Sequence, residues 1–422
     1  MLLPLRAGLT TGLTRTLSRS TTTNARRADV LVIGAGPAGI SVVGHMLSEG
    51  LRVVWVDDHF NGGGLGRYRD VPANTKVDVL ANLATTDFLQ IIPGRAMSVL
   101  ERMASTAHPL HMKHDPAVIG WTGLDVCHDF YTELSSAFSE DDNCTVLRGR
   151  VSSITAERPS GTGGWTARLH GAAAFHIEAP SVVIATGALP VPTPPEMLPS
   201  AWACEPADHP RVLPVESALQ LDQLRKLVQP HERIGVIGGG HTGMVVTMHL
   251  TERVGAHCTQ LFIRRPIRLA SWDSTQQSYV SWAFRGLKGK AARFALDHGL
   301  AELEPPNGAV GDGSLGLELH HSSQLHSCKA TASGLDAVVY CLGFGAPPMP
   351  TVRSGNSTVS ISGHQVPGGA LLDARRRPVP GLFGCGLGFS DSEYTSGAAY
   401  GVAGFMPFAM RAREIARQVA TS

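Results

Sequence analysis

The chain has 422 residues, with 36 Lys+Arg against 35 Asp+Glu, and 47 of its residues are glycine. That length favours two domains over one. The balanced charge, with no basic run longer than Arg375-Arg376-Arg377 and no aromatic-basic interleaving, argues against a nucleic-acid partner, and no apolar stretch is long enough to predict a transmembrane segment.

Residues 1–27 differ from the rest. Arg6, Arg15, Arg19, Arg26 and Arg27 lie among Ser, Thr and Leu, and the first acidic residue is Asp29. An Arg-rich, Ser-rich, acid-free leader is the signature of an organellar transit peptide, so a mitochondrial location is expected. A disordered extension with no address is the alternative.

Asp29–Ile33 reads as a short buried parallel strand. Gly34-Ala35-Gly36-Pro37-Ala38-Gly39 follows it, then a helix over Ile40–Glu49 and a second strand over Leu51–Val56. Asp57 closes that strand 18 residues after Gly39. This is the pattern of a dinucleotide-binding strand–helix–strand unit. Gly34 allows the tight turn, Gly36 admits a pyrophosphate, and Gly39 lets helix and strand pack closely. The helix start at Pro37-Ala38 supplies free N–H groups to the phosphates from Ala38 onward, Pro37 having no N–H of its own. Asp57 is placed to accept from a ribose hydroxyl. A strand–turn–helix corner without a ligand is the bland alternative.

Next comes Asn61-Gly62-Gly63-Gly64-Leu65-Gly66, a loop able to lie close to a flat ligand. Arg67 and Arg69 beside it could meet a phosphate or a carboxylate, or simply be solvated. Residues from Phe88 to about Ser139 read as helical with loops, and His108, His111, His114 and His128 there read as surface or packing residues. Short strands over Thr145–Leu147, Val151–Thr155, Trp165–His170 and Phe175–Ile177 suggest an antiparallel meander. Ser181–Ile184 then returns to the first sheet and ends in Ala185-Thr186-Gly187. Pro190, Pro192, Pro194 and Pro195 make a stiff exit linker.

The opening unit repeats 204 residues later. Arg233–Ile237 is the strand, Gly238-Gly239-Gly240-His241-Thr242-Gly243 the turn, Met244–Val254 the helix and Gln260–Ile263 the next strand. Gly238, Gly240, His241, Thr242 and Gly243 are the candidate pyrophosphate contacts. Where the first unit has Asp57, the second has Arg264-Arg265. An acid there suits a free ribose 2′-hydroxyl and an arginine suits a 2′-phosphate, so NADPH is expected. NADH is the ligand if the arginines are only solvated. Further on, Trp272–His298 reads as a helical excursion, and Leu315–His320 with Gln324–Lys329 as a hairpin. Asp336–Gly343 mirrors the Ala-Thr-Gly strand, and Val379–Gly386 returns to the first sheet. Tyr394–Ala399 opens a C-terminal helix.

The seven cysteines, Cys127, Cys144, Cys204, Cys258, Cys328, Cys341 and Cys385, include no CxxC or CxxxxC. Wide spacing fits structural thiols in a reducing compartment. No metal-ligand spacing is present, since Cys127-His128 has no second half.

Taken in order, the two nucleotide units, the meander, Ala185-Thr186-Gly187, Tyr340–Gly343 and Leu382–Gly386 resemble the two-dinucleotide-binding-domain flavoproteins. That superfamily includes pyridine nucleotide–disulfide oxidoreductases and flavin-containing monooxygenases. The resemblance spans roughly residues 28–415. It implies an α/β fold of two Rossmann-like domains, the NAD(P)H domain inserted in a discontinuous FAD domain. The expected boundaries are 28–205 and 336–422 for the FAD domain, 206–335 for the NAD(P)H domain, and 1–27 for the leader. FAD is implied on the first unit and NADPH on the second, with hydride passing from nicotinamide to flavin. Two departures stand out. Gly386 is followed by Leu387 where the superfamily commonly has Asp, leaving the backbone or Asp391 for the ribityl chain, and the disulfide-reductase cysteines are absent.

Gly62–Gly64, Ala73-Asn74-Thr75-Lys76 and Thr85-Thr86-Asp87-Phe88 look like the flavin-side segment of flavin-containing and N-hydroxylating monooxygenases. There an Asn sits by the flavin and helps hold the oxygenated intermediate; by position it is Asn74. Against this, the Phe-x-Gly-x-x-x-His fingerprint is missing, with His209 its only loose candidate, and Leu65-Gly66 replaces a Trp. The expected activity is a monooxygenase acting on a small-molecule substrate. An NAD(P)H-dependent reductase of a quinone or other acceptor and a non-catalytic redox sensor are the alternatives. A homodimer is one option for assembly.

Overall fold

The computed structural model describes residues 26–76, 80, 121–157, 163–170, 176–198, 209–256, 258–269, 272–273, 278–279, 286–300, 308–309, 316–321, 334–345, 349–366, 368–391 and 404–422. The first sheet has eight strands. In spatial order they are Ser390–Asp391, Ile361–Gln365, Ala370–Asp373, Pro378–Gly384, Ser181–Ile184, Val30–Ile33, Val53–Asp57 and Cys144–Arg148. Its centre is parallel, with Val30 opposite Val53 and Ser181, and Val182 opposite Leu382. Val30–Ile33 and Ser181–Ile184 are buried throughout. A strand covered on both faces has no solvent side to alternate with, hence the unbroken apolar runs.

Side-chain alternation separates two layers on this sheet. Val30, Val32, Val53, Trp55 and Val183 pack with the helices Pro37–Ser48, Leu124–Ser139 and Phe405–Ala420. Leu31, Ile33, Val54, Val56, Val182 and Ile184 pack against a second sheet that carries the expected meander. Its three antiparallel strands are Val151–Ala156, Trp165–Leu169 and His176–Ala179. Two expectations need correction here. Cys144–Arg148 is not in the meander; it lies parallel on Val53–Asp57, fixed by Val53 N–H to Asn143 O and Gly149 N–H to Asp57 O. Residues 26–27 do not belong to the leader. Arg26–Arg27 pairs with His176–Ala179, and the Arg27 guanidinium is 3.0 Å from Glu178.

A separate sheet forms the second unit, ordered Arg211–Leu213, Ala337–Tyr340, Arg233–Ile237, Cys258–Ile263, Leu317–His321 and Gly308–Ala309. Ala337–Tyr340 pairs with both Arg211–Leu213 and Arg233–Ile237, so it belongs to this unit and the expected boundary at residue 335 lies too early. Leu189–Pro190 pairs antiparallel with Phe344–Gly345, which sets the outgoing and returning crossings side by side.

The expected helical excursion at 272–298 divides: Trp272–Asp273 and Ser278–Tyr279 form an antiparallel pair, and the helix is Gly289–Asp297. Leu317–His321 pairs antiparallel with Gly308–Ala309, while its expected partner at 324–329 lies outside the described residues. So do 394–399; the C-terminal helix runs Phe405–Ala420. His108, His111 and His114 also lie outside, and Leu124–Ser139 is the described helix of that region.

Candidate functional site

The two glycine turns repeat one construction. Gly34 has φ +112°, and a Cβ there would stand 2.4 Å from Ala185 O; a Cβ on Gly39 would stand 2.0 Å from Gly34 O. In the second turn Gly238 has φ +122° with Cys341 O at 2.4 Å, and Gly243 would meet Gly238 O at 1.8 Å. First and last glycines are therefore steric requirements of the backbone itself. The middle glycines differ. Gly240 has nothing within 4 Å of its Cβ position, whereas the Gly36 backbone is met by Gly63, whose own Cβ would be 2.7 Å from Gly36 Cα. The glycine-rich loop thus lies directly on the first turn.

Each turn opens a helix with no side-chain cap, Pro37–Ser48 after Gly36 and His241–Met248 after Gly240. The first backbone bonds run from Ile40 N–H to Gly36 O and from Met244 N–H to Gly240 O. The N–H groups of Ala38 and Gly39, and of His241, Thr242 and Gly243, precede those bonds and have no partner within the helix, the arrangement that binds phosphate.

Asp57 ends the strand Val53–Asp57 and fastens the first turn. Its Oδ2 accepts from Ala35 N–H at 2.8 Å, and its Oδ1 from His59 and Phe60 N–H at 2.7 and 2.9 Å. A carboxylate has about four acceptor sites, so one remains for a ribose hydroxyl. The Trp55 indole N–H donates to Gly34 O at 2.9 Å from below. The Thr186 hydroxyl is buried and unpartnered, and Gly187 beside it, at φ +80°, has open space at its Cβ position. Gly386 lies against the helix start, its Cβ position 3.1 Å from Ala38 Cβ. Free N–H groups, an orphan hydroxyl and a glycine floor fit a dinucleotide. Asp391 is on the strand Ser390–Asp391, its side chain outside the described residues.

In the second unit, Arg264 and Arg265 follow the buried strand Cys258–Ile263, and both are exposed. Neither forms an ion pair among the described residues. His241 turns its ring to the first unit, with Nε2 3.2 Å from Pro72 O. A carbonyl only accepts, so Nε2 carries the proton, and Nδ1 is left buried without a partner. Burial, partly opposed by this bond, holds its pKa below the ordinary imidazole value. His241 is therefore a neutral tie between units in the absence of nucleotide, not a general base.

Pro72 begins the strand Pro72–Lys76, which carries Asn74 and pairs antiparallel with Trp121–Gly123. The Asn74 side chain lies outside the described residues. The chain just before this strand makes contacts the sequence did not disclose. Arg67 faces Glu216 at 3.8 Å, Tyr68 sets its ring edge-on to Phe344 at 6.4 Å, and Asp70 Oδ2 accepts from Leu221 N–H at 3.1 Å. Arg69 instead meets Asp129 at 3.2 Å. Pro72 in a mostly polar loop was the one available signal of fixed backbone there. Cys127, Cys144, Cys258, Cys341 and Cys385 are free, and burial pushes the Cys341 and Cys385 thiols up to about 12.

Residues 28–287 match the family described as pyridine nucleotide-disulphide oxidoreductase. The chain is 23% identical over 387 residues to a protein named monooxygenase AgnR1 from Paecilomyces divaricatus, covering 87% of this chain and 91% of that one. It shares its fold with a flavin-containing monooxygenase from Stenotrophomonas maltophilia, at 17% identity and TM-score 0.55, over 94% of this chain and 99% of that one. An ornithine N-hydroxylase from Kutzneria sp. 744, in complex with reduced FAD, NADP+ and L-ornithine, aligns at 17% identity and TM-score 0.54, over 93% and 99%.

Proposed function

Because the chain belongs to the pyridine nucleotide-disulphide oxidoreductase family, we propose that it is an FAD-dependent monooxygenase driven by NADPH and acting on a small organic substrate. FAD is assigned to the turn Gly34–Gly39 with Asp57, Thr186, Gly187 and Gly386. NADPH is assigned to Gly238–Gly243, with Arg264 and Arg265 for its 2′-phosphate. Once bound, these two groups supply the redox chemistry. The protein's share is to bind and orient them and to keep water out.

The observation that carries the reading is the bond between His241 and Pro72 O. It brings the second glycine turn to the head of the strand that bears Asn74, so the two nucleotide units meet at that strand. Asn74 is assigned the hydrogen bond on the oxygen-reacting side of the flavin. The relative named a monooxygenase, matched over most of both chains, supports this activity. The cysteines among the described residues are free, and all but Cys144 are buried, which favours it over disulfide reduction.

The test is to reduce the protein with NADPH without oxygen, then admit oxygen and follow the flavin spectrum and peroxide release. Loss of one hydrogen bond of about 1.4 kcal/mol predicts roughly tenfold faster peroxide release in Asn74→Ala than in the parent. Immediate return to oxidised flavin in both, with a quinone as the better acceptor, would make the protein a reductase instead. The leader is assigned a mitochondrial address, shortened to residues 1–25 because Arg26–Arg27 is a strand of the folded body. A fusion of residues 1–25 to a reporter is expected in mitochondria; a diffuse cytosolic signal refutes the assignment.

A further inference from the structure

The segment Gly62–Pro72 belongs to both units at once. At its start Gly63 lies on Gly36 of the first turn, and Leu65 is buried in the core of the first unit. Six residues later Val71 is buried in the core of the second, among Leu213, Leu219 and Leu224. Every residue between them except Gly66 and Arg69 reaches across. Arg67 meets Glu216, and Tyr68 packs on Phe344. Asp70 takes the Leu221 N–H. The segment closes at Pro72 on His241, inside the second glycine turn. A single short stretch thus touches the first nucleotide turn at the Gly36 backbone and the second at the His241 side chain.

We propose that residues 67–72 couple the two nucleotide sites with positive sign, so that NADP(H) on the second turn tightens retention of FAD on the first, and FAD tightens NADP(H) by the same factor. This rests on the cofactor assignment of the proposed function and goes beyond it. Nucleotide on Gly238–Gly243 fixes the helix start that carries His241. Pro72 is then held, and with it the chain back to Gly63 over Gly36. FAD must order that same loop, so whichever ligand arrives second meets a segment already ordered and loses less entropy. Linkage makes the effect reciprocal for binding free energies.

The experiment uses the full chain and reads binding, not turnover. The dissociation constant of FAD is measured by its fluorescence with and without NADP+, at NADP+ concentrations shown to saturate by a separate titration. Saturating NADP+ is expected to tighten FAD about fivefold or more in the parent. In Asp70→Ala/Glu216→Ala the factor is expected to fall to within about twofold of unity. NADP+ binding to the FAD-free protein should stay within about threefold of the parent, since neither side chain is assigned to a nucleotide. If the double variant does not fold, Glu216→Gln, altering an exposed side chain, is expected to lower the factor part of the way. An equal factor in parent and variants, or NADP+ that binds without changing FAD affinity, overturns the coupling and leaves the proposed activity standing. No binding of NADP+ at all overturns both. Coupling without oxygen chemistry overturns only the activity.

Discussion

Gly240 and Gly243 stand in one turn, yet the same added methyl group should do opposite things to them. At Gly243 the new Cβ would fall 1.8 Å from Gly238 O, within the turn itself. Gly243→Ala is therefore expected to cost about 1–3 kcal/mol of stability through forced backbone displacement, visible as a lower melting temperature without any ligand. At Gly240 the Cβ meets nothing, and the backbone, at φ −78° and ψ −178°, is open to any residue. Gly240→Ala should leave the stability of the ligand-free protein within about 0.5 kcal/mol of the parent and weaken NADPH, because the methyl would enter the space assigned to the pyrophosphate. Unchanged NADPH affinity would mean that the nucleotide lies elsewhere. Arg264 is discriminating in another way. Loss of a charge-assisted bond to a 2′-phosphate is worth about 1.5–3 kcal/mol, roughly 10- to 150-fold. Arg264→Ala should show that loss for NADPH and little for NADH in parallel titrations; equal losses would remove the assignment.

The helix His241–Met248 and its continuation His249–Val254 carry two imidazoles toward the segment between the units. His241 bonds to Pro72 O and His249 to Ala218 O. Burial lowers both pKa values below the ordinary imidazole value of 6.5. A base with a depressed folded pKa binds its proton more readily when unfolded, so stability is complete above about 6.5 and falls as pH drops toward the folded pKa. The melting temperature is therefore expected to fall between pH 7.5 and pH 5.5, and less steeply in His249→Gln than in the parent. Parallel pH profiles would show that His249 carries no such linkage. The elements themselves were legible to unequal degrees. The strand–turn–helix units stood out because a buried strand, three spaced glycines and a helix start are all local features. Sheet membership was not local. Cys144–Arg148 and Ala337–Tyr340 have the composition of strands in either possible sheet, and only tertiary pairing decided where they went. Val71 was hidden for the same reason: one valine in a loop of Gly, Arg and Pro carries no periodicity to say which core receives it.

Across the molecule, the first sheet is assembled from four separated stretches of chain, whereas the described strands of the second all lie between Arg211 and Tyr340. Its strand Ser181–Ile184 waits for Pro378–Gly384, and the helix Pro37–Ser48 packs on Phe405–Ala420 at the far end of the chain. The consequence is one of timing during synthesis. At about 5–20 residues per second, roughly 10–40 seconds separate the appearance of the Pro-rich exit from that of the strand ending at Gly384. Throughout that interval the second unit has its sheet to complete, while the parallel strand Ser181–Ile184 presents an unpaired edge to the cell. A ribosome that stalls between Tyr340 and Pro378 releases a chain with a complete second sheet and an unfinished first one, so in a preparation of this protein yellow colour reports that synthesis passed the strand ending at Gly384.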